Sequence, residues 1–339
     1  MKEAKHYQKL ANNLAACGLC NHFCRIENGR RGLCGVRLNC DGVLYTLVYD
    51  KVVAANIDPI EKKPLYHFLP GSKTFSIATV GCNFHCDNCQ NADISQLPKD
   101  SNWSTKDLPG SALTPAEIVE SALMSGCQSI AYTYTEPTIF FELALDCMKL
   151  ARSKGLKNVW VSNGYTSTPA LIQARDYLDA VNVDLKFFNR QSYLKIAGAK
   201  LEPILENLKW YKTNGVWLEV TTLIIPSLND NPQELNNIAE FISGELGQNV
   251  PWHISVFHPA FKLLDHPATS RDIINLAWDI GQQAGLNYIY VGNIEDQNRS
   301  NTYCPGCKSL IVQRTGYLVK RFDEDGQCPK CHAKIDLIL

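Results

Sequence analysis

The chain has 339 residues, of which 45% are hydrophobic and 20% charged, and its formal net charge is −1. This composition is ordinary for a globular protein with a substantial core, and a charge near zero excludes bulk attraction to nucleic acid or to an anionic membrane. No apolar run is long enough to span a bilayer. The first residues lack the basic-then-apolar order of a secretory signal, so we expect a cytoplasmic protein.

The first part of the chain contains four cysteines at C-x2-C-x3-C-x9-C spacing, after residues 5–16, which predict a short amphipathic helix. Four thiolates on a glycine-containing loop could surround one tetrahedral metal. Zinc is the first choice and an iron–sulfur cluster is the alternative, because thiolates suit both. Alternation over residues 35–53 then predicts a β-hairpin around Asp41-Gly42. The predicted ligands are Cys17, Cys20, Cys24 and Cys34, with His22 and Cys40 as further candidates.

Residues 58–71 contain three prolines, which exclude a regular helix or a central strand. Two interpretations remain open. The segment either packs Leu65, Phe68 and Leu69 onto the following domain, or it lies near an active-site mouth. In the second case it would present four polar side chains to a ligand, namely Glu61, Lys62, Lys63 and His67.

The run Thr74–Val80 predicts a buried strand, and three cysteines at C-x3-C-x2-C spacing follow it. Three thiolates on one loop can hold three corners of a cubane iron–sulfur cluster, whose usual complement is four cysteines. The next cysteine is Cys127, within a helical pattern, so one iron would stay open to another ligand. A zinc site that includes His85 is the alternative. The three cysteines are Cys82, Cys86 and Cys89.

From residue 74 onward, apolar strand patterns alternate with helical patterns over six or seven repeats. Such repeats predict an α/β fold with a parallel sheet covered by helices, and we expect a partial or nearly closed (β/α) barrel. Chemistry in these barrels collects at the carboxyl ends of the strands. Residues 92–112 are predicted to form a surface loop over the cluster. The strand candidates are residues 75–80, 129–135, 158–163, 180–187, 215–223, 251–258 and 287–292.

The last part of the chain has two C-x2-C pairs on either side of a predicted hairpin over residues 311–322. This arrangement is typical of a zinc ribbon, in which metal binding supplies folding free energy to a segment with few apolar residues. A docking surface for a partner is the alternative role. We therefore predict three domains: a Cys-rich metal-binding module (1–73), a barrel (74–300) and a zinc-ribbon-like module (301–339). The C-terminal ligands are Cys304, Cys307, Cys328 and Cys331.

The loop from Gly81 to Asn91 resembles the motif of radical S-adenosylmethionine (SAM) enzymes, and the whole chain is most similar to those of the AmmeMemoRadiSam system, a branch related to pyruvate formate-lyase activating enzymes. The resemblance implies a radical SAM barrel with a [4Fe–4S] cluster on the three loop cysteines and SAM at the open iron. This chain departs from the family at Asn88, where an aromatic residue is common, and we expect Phe84 to supply the apolar cover.

The resemblance also implies a set of SAM-binding residues at the strand ends. Glu136 would receive the amino group, although Tyr134 and Thr135 replace the two glycines that usually precede it. Lys186, in an Asp-x-Lys pattern, would meet the carboxylate. The alternatives are a helix-capping acid for Glu136, a structural ion pair for Lys186, and a core histidine for His258. The predicted cofactor-binding residues are Asn91, Glu136, Ser162, Asn163, Asp184, Lys186 and His258.

The implied function is reductive cleavage of SAM to a 5′-deoxyadenosyl radical, which takes hydrogen from an unidentified substrate. One alternative is an activase that acts on a glycyl-radical enzyme, and another is a non-enzymatic metal-binding or electron-transfer module. The expected partners are an external electron donor and either a protein substrate or Memo-/AMMECR1-like proteins. No nucleic acid or membrane partner is expected.

Overall fold

The N-terminal segment is built from short antiparallel strands rather than from the predicted helix. The computed structural model describes residues 1–100 and 108–339. The helix prediction for residues 5–16 was wrong, because Asn12 and Asn13 take left-handed backbone conformations (φ 57° and 56°) that turn the chain. The hairpin at Asp41-Gly42 is confirmed by the pairing of Cys40 with Val43. The strands are β1 (Lys2–Glu3), β2 (Tyr7–Lys9), β3 (Ala15–Cys17), β4 (Arg25–Ile26), β5 (Arg37–Cys40), β6 (Val43–Thr46) and β7 (Lys51–Val52).

An eight-stranded sheet forms the centre of the protein, in the order β16-β15-β14-β13-β12-β11-β9-β8. The strands from β9 to β16 in this sheet are parallel, as predicted, and β8 pairs antiparallel with β9 at one edge. Because β8 and β16 stand at opposite ends of the order, closure into a barrel is not shown. The central strands and the short β10 are β8 (Ala54–Pro59), β9 (Lys73–Ala78), β10 (Ser111–Ala112), β11 (Ser129–Tyr132), β12 (Lys157–Ser162), β13 (Ala180–Asp184), β14 (Trp217–Ile224), β15 (Trp252–Val256) and β16 (Ile289–Gly292).

Helices connect the parallel strands, and local signals set their ends. The side chain of Thr114 accepts from the backbone N–H of Glu117 at 3.3 Å while the Glu117 carboxylate accepts from the Thr114 N–H at 2.7 Å, so α2 begins with a capping box. Of the loop predicted over residues 92–112, part is helical, and residues 101–107, including Trp103, lie outside the described residues. The helices are α1 (Ala92–Ser95), α2 (Pro115–Met124), α3 (Phe141–Ser153), α4 (Thr168–Ala174), α5 (Arg190–Ser192), α6 (Glu202–Thr213), α7 (Pro232–Phe241) and α8 (Arg271–Gln283). None of the described helices is long and apolar enough to cross a membrane.

Residues 58–71 fill the amino-terminal end of the sheet. Leu65 and Phe68 are buried in a core cluster that includes residues of β11, β12 and β13, so the packing interpretation is confirmed for them. Glu61, Lys63 and His67 are also buried, and their predicted presentation at an active-site mouth was wrong. The backbone N–H of His67 donates to a carboxylate oxygen of Glu219 near the start of β14, at 2.9 Å. Hydrogen bonds to partners such as Glu219 therefore offset the free-energy cost of burying the polar groups of this segment.

Burial lowers the pKa of His67 to about 4. The unfolded chain takes up this proton near pH 6.5, so the unfolded state binds more protons between these values and the free energy of unfolding falls as pH decreases through them. We expect the loss between pH 7 and pH 4.5 to be smaller in His67→Gln than in the wild type, by about 2 kcal/mol. Urea unfolding at the two pH values measures it. Equal losses in both proteins would contradict the prediction.

The C-terminal segment forms a three-stranded antiparallel sheet docked on residues 66–69. The backbone N–H of Leu69 donates to the carbonyl of Ile338 at 2.7 Å, and the Ile338 N–H donates to the carbonyl of His67 at 2.8 Å. Arg314 donates to the carbonyl of Tyr66 at 2.6 Å. The segment thus contacts the end of the central sheet opposite the carboxyl ends of its parallel strands. Its strands are β17 (Thr302–Tyr303), β18 (Leu310–Thr315) and β19 (Leu318–Arg321).

Candidate active site

The three-cysteine loop leaves the carboxyl end of β9 and is held by backbone hydrogen bonds from two sides. The N–H of Gly81 donates to the carbonyl of Ile94 at 3.0 Å, and the N–H of His85 donates to the carbonyl of Ala197 at 3.1 Å. Gly81 has a φ of +98°, and a Cβ atom there would lie 2.9 Å from the carbonyl oxygen of Cys34. Only glycine allows this approach, so the loop is pressed against the N-terminal segment.

The neighbours of the loop are largely aromatic. Phe84 is 1% exposed and makes edge contacts with Tyr165 and Tyr193, with ring centroids 5.2 and 6.3 Å apart. This is the apolar cover expected of Phe84 in the absence of an aromatic residue at position 88. The imidazole of His85 lies where a Cβ atom of residue 198 would stand, which only Gly198 permits. His85 therefore packs on the turn at Gly198. This packing explains the position of the imidazole without a role as a zinc ligand.

The three loop thiols fit a multi-iron cluster better than a single ion. Cys86 is buried, and Cys82 and Cys89 are partly buried. Among the described residues, the three do not gather closely enough to share one metal ion, whereas a cubane places each thiolate on a different iron. Burial raises the pKa of Cys86 to about 11, although the ammonium groups of Lys186 and Lys99 oppose this shift. Coordination would remove the proton, because the thiolate is the metal ligand.

Glu136 is fully engaged by protein donors. Its side chain is in a residue 2% exposed, and its oxygens accept from the Ser162 hydroxyl at 2.9 Å, the Asn163 N–H at 2.8 Å and both donors of Thr138. Asn163 in turn donates to the side-chain oxygen of Asn83 at 2.7 Å. Glu136 thus ties the ends of two neighbouring strand segments to the cysteine loop. Its predicted contact with the SAM amino group stays a prediction, and so do those of Ser162 and Asn163.

The predicted pair at the end of β13 is in contact. The ammonium of Lys186 donates to the carboxylate of Asp184 at 2.8 Å, and both side chains are partly exposed. Burial works against the charge of Lys186, but the fields of Asp184 and of Cys86 raise its pKa. Lys186 is therefore a cation beside the thiol of Cys86. This position satisfies both alternatives, a SAM carboxylate contact and a structural ion pair.

Asn91 and His258 have different surroundings. The Asn91 amide donates to the carbonyl of Tyr134 at 2.8 Å. Both residues line an open cleft of about 380 Å³ together with Asp58 and Lys62. His258 is exposed, and its Nε2 lies 3.1 Å from the carbonyl oxygen of Asn293. The roles of Asn91 and His258 stay predictions.

The two four-cysteine sets differ in geometry. In the C-terminal set, Cys304 Sγ lies 3.6 Å from Cys331 Sγ, and Cys307 Sγ lies 3.5 Å from Cys328 Sγ. All four sulfur atoms fall within 4.8 Å of one another, close to the roughly 3.8 Å that tetrahedral bonds of 2.3 Å to one zinc ion would produce. The N-terminal set forms no such group in residues 1–100 and 108–339. Its members Cys17, Cys20, Cys24 and Cys34 instead line one cavity of about 20 Å³, as does His22.

Two residues near the thiols were missed in the sequence. Lys99 donates to the carbonyl of Phe84, and its ammonium is close enough to Cys82, Cys34 and Cys86 for their fields to act on its pKa, which burial lowers. Asn83 is 2% exposed and bonds to Asn163. Lys99 follows Leu97-Pro98 in a stretch of sequence without hydrophobic periodicity, so no local pattern marked it. Asn83 stood inside the motif, but nothing in the spacing indicated a partner so distant in sequence.

Three thiols of one loop follow the first parallel strand of this α/β sheet, in the field of two lysine ammonium groups, and this set of ligands suits an iron–sulfur cluster. The family model that matches this chain, over residues 76–242, is that of the radical SAM superfamily. The uncharacterized protein MJ0808 of Methanocaldococcus jannaschii is 43% identical over all of both chains. The chain belongs to the radical SAM superfamily and is a radical SAM enzyme; the family implies a [4Fe–4S] cluster and SAM.

Relatives with named activities are more distant. The pyruvate formate-lyase-activating enzyme of Listeria monocytogenes is 24% identical over 179 residues, which cover 51% of this chain and 70% of that protein. Among solved structures, Streptococcus suis SuiB bound to S-adenosylmethionine is 11% identical, with a TM-score of 0.49 over 67% of this chain and 50% of that one. The sequence relatives place the chain near the activating enzymes without determining its activity.

Proposed function

We propose that this protein is a radical SAM enzyme of the AmmeMemoRadiSam type, in which Cys82, Cys86 and Cys89 hold the [4Fe–4S] cluster. The observation that carries the proposal is the placement of three thiols of one loop at the carboxyl end of β9, where the field of Lys186 reaches Cys86. A fourth thiolate is not needed, because SAM would complete the cluster. The substrate remains a hydrogen donor of unidentified class.

The polar residues at the strand ends would share the binding of SAM. Lys186 is a cation suited to the carboxylate of the methionine moiety. Asn91 lies at the rim of the 380 Å³ cleft, where its amide could bind the adenine, and Ser162 and Asn163 would contact methionine or ribose. Asp184 would hold Lys186 in place, and the exposed His258 would also contact SAM. Glu136 would act by positioning Ser162 and Asn163, because its oxygens already accept from them.

The cluster held by Cys82, Cys86 and Cys89 would supply the single electron needed for reductive cleavage of SAM to methionine and a 5′-deoxyadenosyl radical. The chain's own residues would orient the cosubstrate and exclude water. Phe84 and Tyr193 are buried beside the loop, so one side of the site is apolar. Water exclusion protects a reactive radical from side reactions.

The test is a SAM cleavage assay on anaerobically reconstituted protein reduced with dithionite. The expected product is 5′-deoxyadenosine, detected by chromatography, together with methionine. Its absence from protein that contains the cluster would favour the non-enzymatic metal-binding or electron-transfer alternative. If 5′-deoxyadenosine does form, addition of Memo-like and AMMECR1-like proteins tests the AmmeMemoRadiSam assignment. A correct assignment predicts faster turnover or a chemical modification of one of these proteins.

A second candidate function is that of a glycyl-radical-enzyme activase. The supporting observation is the sequence similarity to the Listeria monocytogenes activating enzyme. Incubation with a glycyl-radical enzyme from the same genome, followed by electron paramagnetic resonance (EPR) spectroscopy, distinguishes the two. A glycyl doublet would favour the activase, and cleavage without one would favour the first candidate.

We further propose that Cys304, Cys307, Cys328 and Cys331 bind zinc and stabilise the C-terminal sheet. The buried cluster of this segment consists of few apolar side chains, including Ile311, Val312 and Ile335, so metal binding would supply much of its folding free energy. The paired Cys328→Ser and Cys331→Ser changes should remove about one zinc per chain and lower the midpoint of thermal unfolding, as measured by elemental analysis and calorimetry. Unchanged zinc content would contradict the assignment.

A further inference from the structure

The N-terminal cysteines form a second convergent site that the proposed chemistry does not use. Cys17, Cys20, Cys24 and Cys34 come from three different parts of the antiparallel segment and line one cavity of about 20 Å³. Around a single zinc ion the sulfur atoms would be roughly 3.8 Å apart, as they nearly are in the C-terminal set. The N-terminal thiols are not gathered in this way within the described ranges. Thiols that line one cavity without converging on a single ion are compatible with a cluster, in which each thiolate binds a separate iron.

Unpaired donors also border this cavity. Arg37 is 1% exposed, and its Nη2 donates to the carboxylate of Glu142 at 2.7 Å. Arg37 Nε and Nη1 and the Asn83 side-chain nitrogen are buried without a partner in the part of the chain that the structure describes. Such donors are costly unless an acceptor meets them. Both residues line the cavity, where the sulfur atoms of an anionic cluster would accept their hydrogens.

The site adjoins the active-site loop. The carbonyl of Cys34 packs against Gly81, the residue before Cys82, where a Cβ atom would come within 2.9 Å of it. A ring nitrogen of His22 lies 2.9 Å from the carbonyl oxygen of Asn83. On the outer side, Phe23 and Leu33 are 59% and 62% exposed beside the cysteines. One face of the site therefore contacts the catalytic loop, and the other is open to a partner.

We infer that Cys17, Cys20, Cys24 and Cys34 hold a second [4Fe–4S] cluster that relays electrons from an external donor to the cluster on the catalytic loop. One electron leaves a one-electron donor such as a reduced flavodoxin, reduces the second cluster, and then passes to the first. The donor loses one electron, and in this step no bond forms or breaks and no proton is transferred. The relay rests on the proposed function, whereas the binding of the cluster does not.

Iron and sulfide analysis with EPR spectroscopy tests the site. Anaerobically reconstituted wild type should contain about eight irons per chain, and the triple variant Cys82→Ser/Cys86→Ser/Cys89→Ser about four. The remaining cluster, held by four thiolates, should have an EPR signal that SAM does not alter. Cys20→Ser/Cys24→Ser should also retain about four irons, with a signal that SAM does alter. Cys40→Ser, whose thiol lies outside the cavity, is the matched control and should keep the wild-type content.

A triple variant without iron, but with a second zinc besides that of the C-terminal set, would overturn the inference. Circular dichroism on each variant separates loss of cluster from loss of fold. Wild type with eight irons and no SAM cleavage would support the second cluster and refute the proposed function.

For the relay, the rate of SAM cleavage with flavodoxin is divided by the rate with Ti(III) citrate. This ratio should fall at least tenfold in Cys20→Ser/Cys24→Ser, and an unchanged ratio would refute the relay.

Discussion

Replacing Cys86 with alanine should reduce 5′-deoxyadenosine formation at least a hundredfold and remove the iron of the catalytic cluster. Cys86 is the most buried of the three loop thiols and lies in the field of two lysines, so its loss would remove one of the three cluster ligands and leave a small cavity. A cluster held by two thiolates and SAM alone would lack the usual ligand number. Anaerobic reconstitution, iron analysis and the cleavage assay measure both effects.

The matched control is Cys127→Ala. Cys127 is also a buried thiol, 5% exposed, but it follows α2 at the amino-terminal side of β11, away from the strand ends that carry the site. Its replacement should cost about 1 kcal/mol of stability and leave iron content unchanged. Wild-type cleavage by Cys86→Ala would refute the assignment of the cluster to this loop.

Replacing Lys186 with methionine should weaken SAM binding by about 10- to 100-fold. A hydrogen bond between charged groups contributes about 1.5–3 kcal/mol, and each 1.4 kcal/mol corresponds to a factor of ten in affinity. Methionine keeps the apolar stem of the side chain and removes the cation. Anaerobic equilibrium dialysis with labelled SAM measures the Kd without dependence on turnover.

Asp184→Asn is the informative companion variant. It removes the partner that accepts from Lys186 at 2.8 Å but leaves the ammonium present to bind a carboxylate. A role in SAM binding predicts a larger rise in Kd for Lys186→Met than for Asp184→Asn. A purely structural ion pair predicts instead that both variants lose similar stability while the Kd for SAM stays at the wild-type value.

The burial of the plug formed by residues 58–71 illustrates what could not be read from local sequence. Its charges and prolines suited an exposed loop as well as a packed one. Lys63 is buried because Asp58 accepts its hydrogen at 2.7 Å, and His67 is buried because Glu219 and Tyr290 supply partners. Asp58 is five residues from Lys63, but Glu219 and Tyr290 lie 152 and 223 residues from His67, so no spacing rule could indicate the partners of His67. Nothing in the sequence indicated that the Glu136 carboxylate accepts four hydrogen bonds from within the protein.

The sequence by itself determined the parallel α/β repeat, the hairpin at Asp41-Gly42 and the grouping of the cysteines, because hydrophobic period, turn chemistry and ligand spacing are local properties. Only the tertiary structure decided that the N-terminal thiols line a cavity while the C-terminal thiols converge on a point. Only the tertiary structure placed Arg37 and Asn83 at the cavity of the N-terminal thiols, and Lys99 within the field of Cys34 and the loop thiols. The physical reason is that a ligand set takes its dimensions, and a buried charge its compensation, from segments that folding brings together from distant parts of the chain.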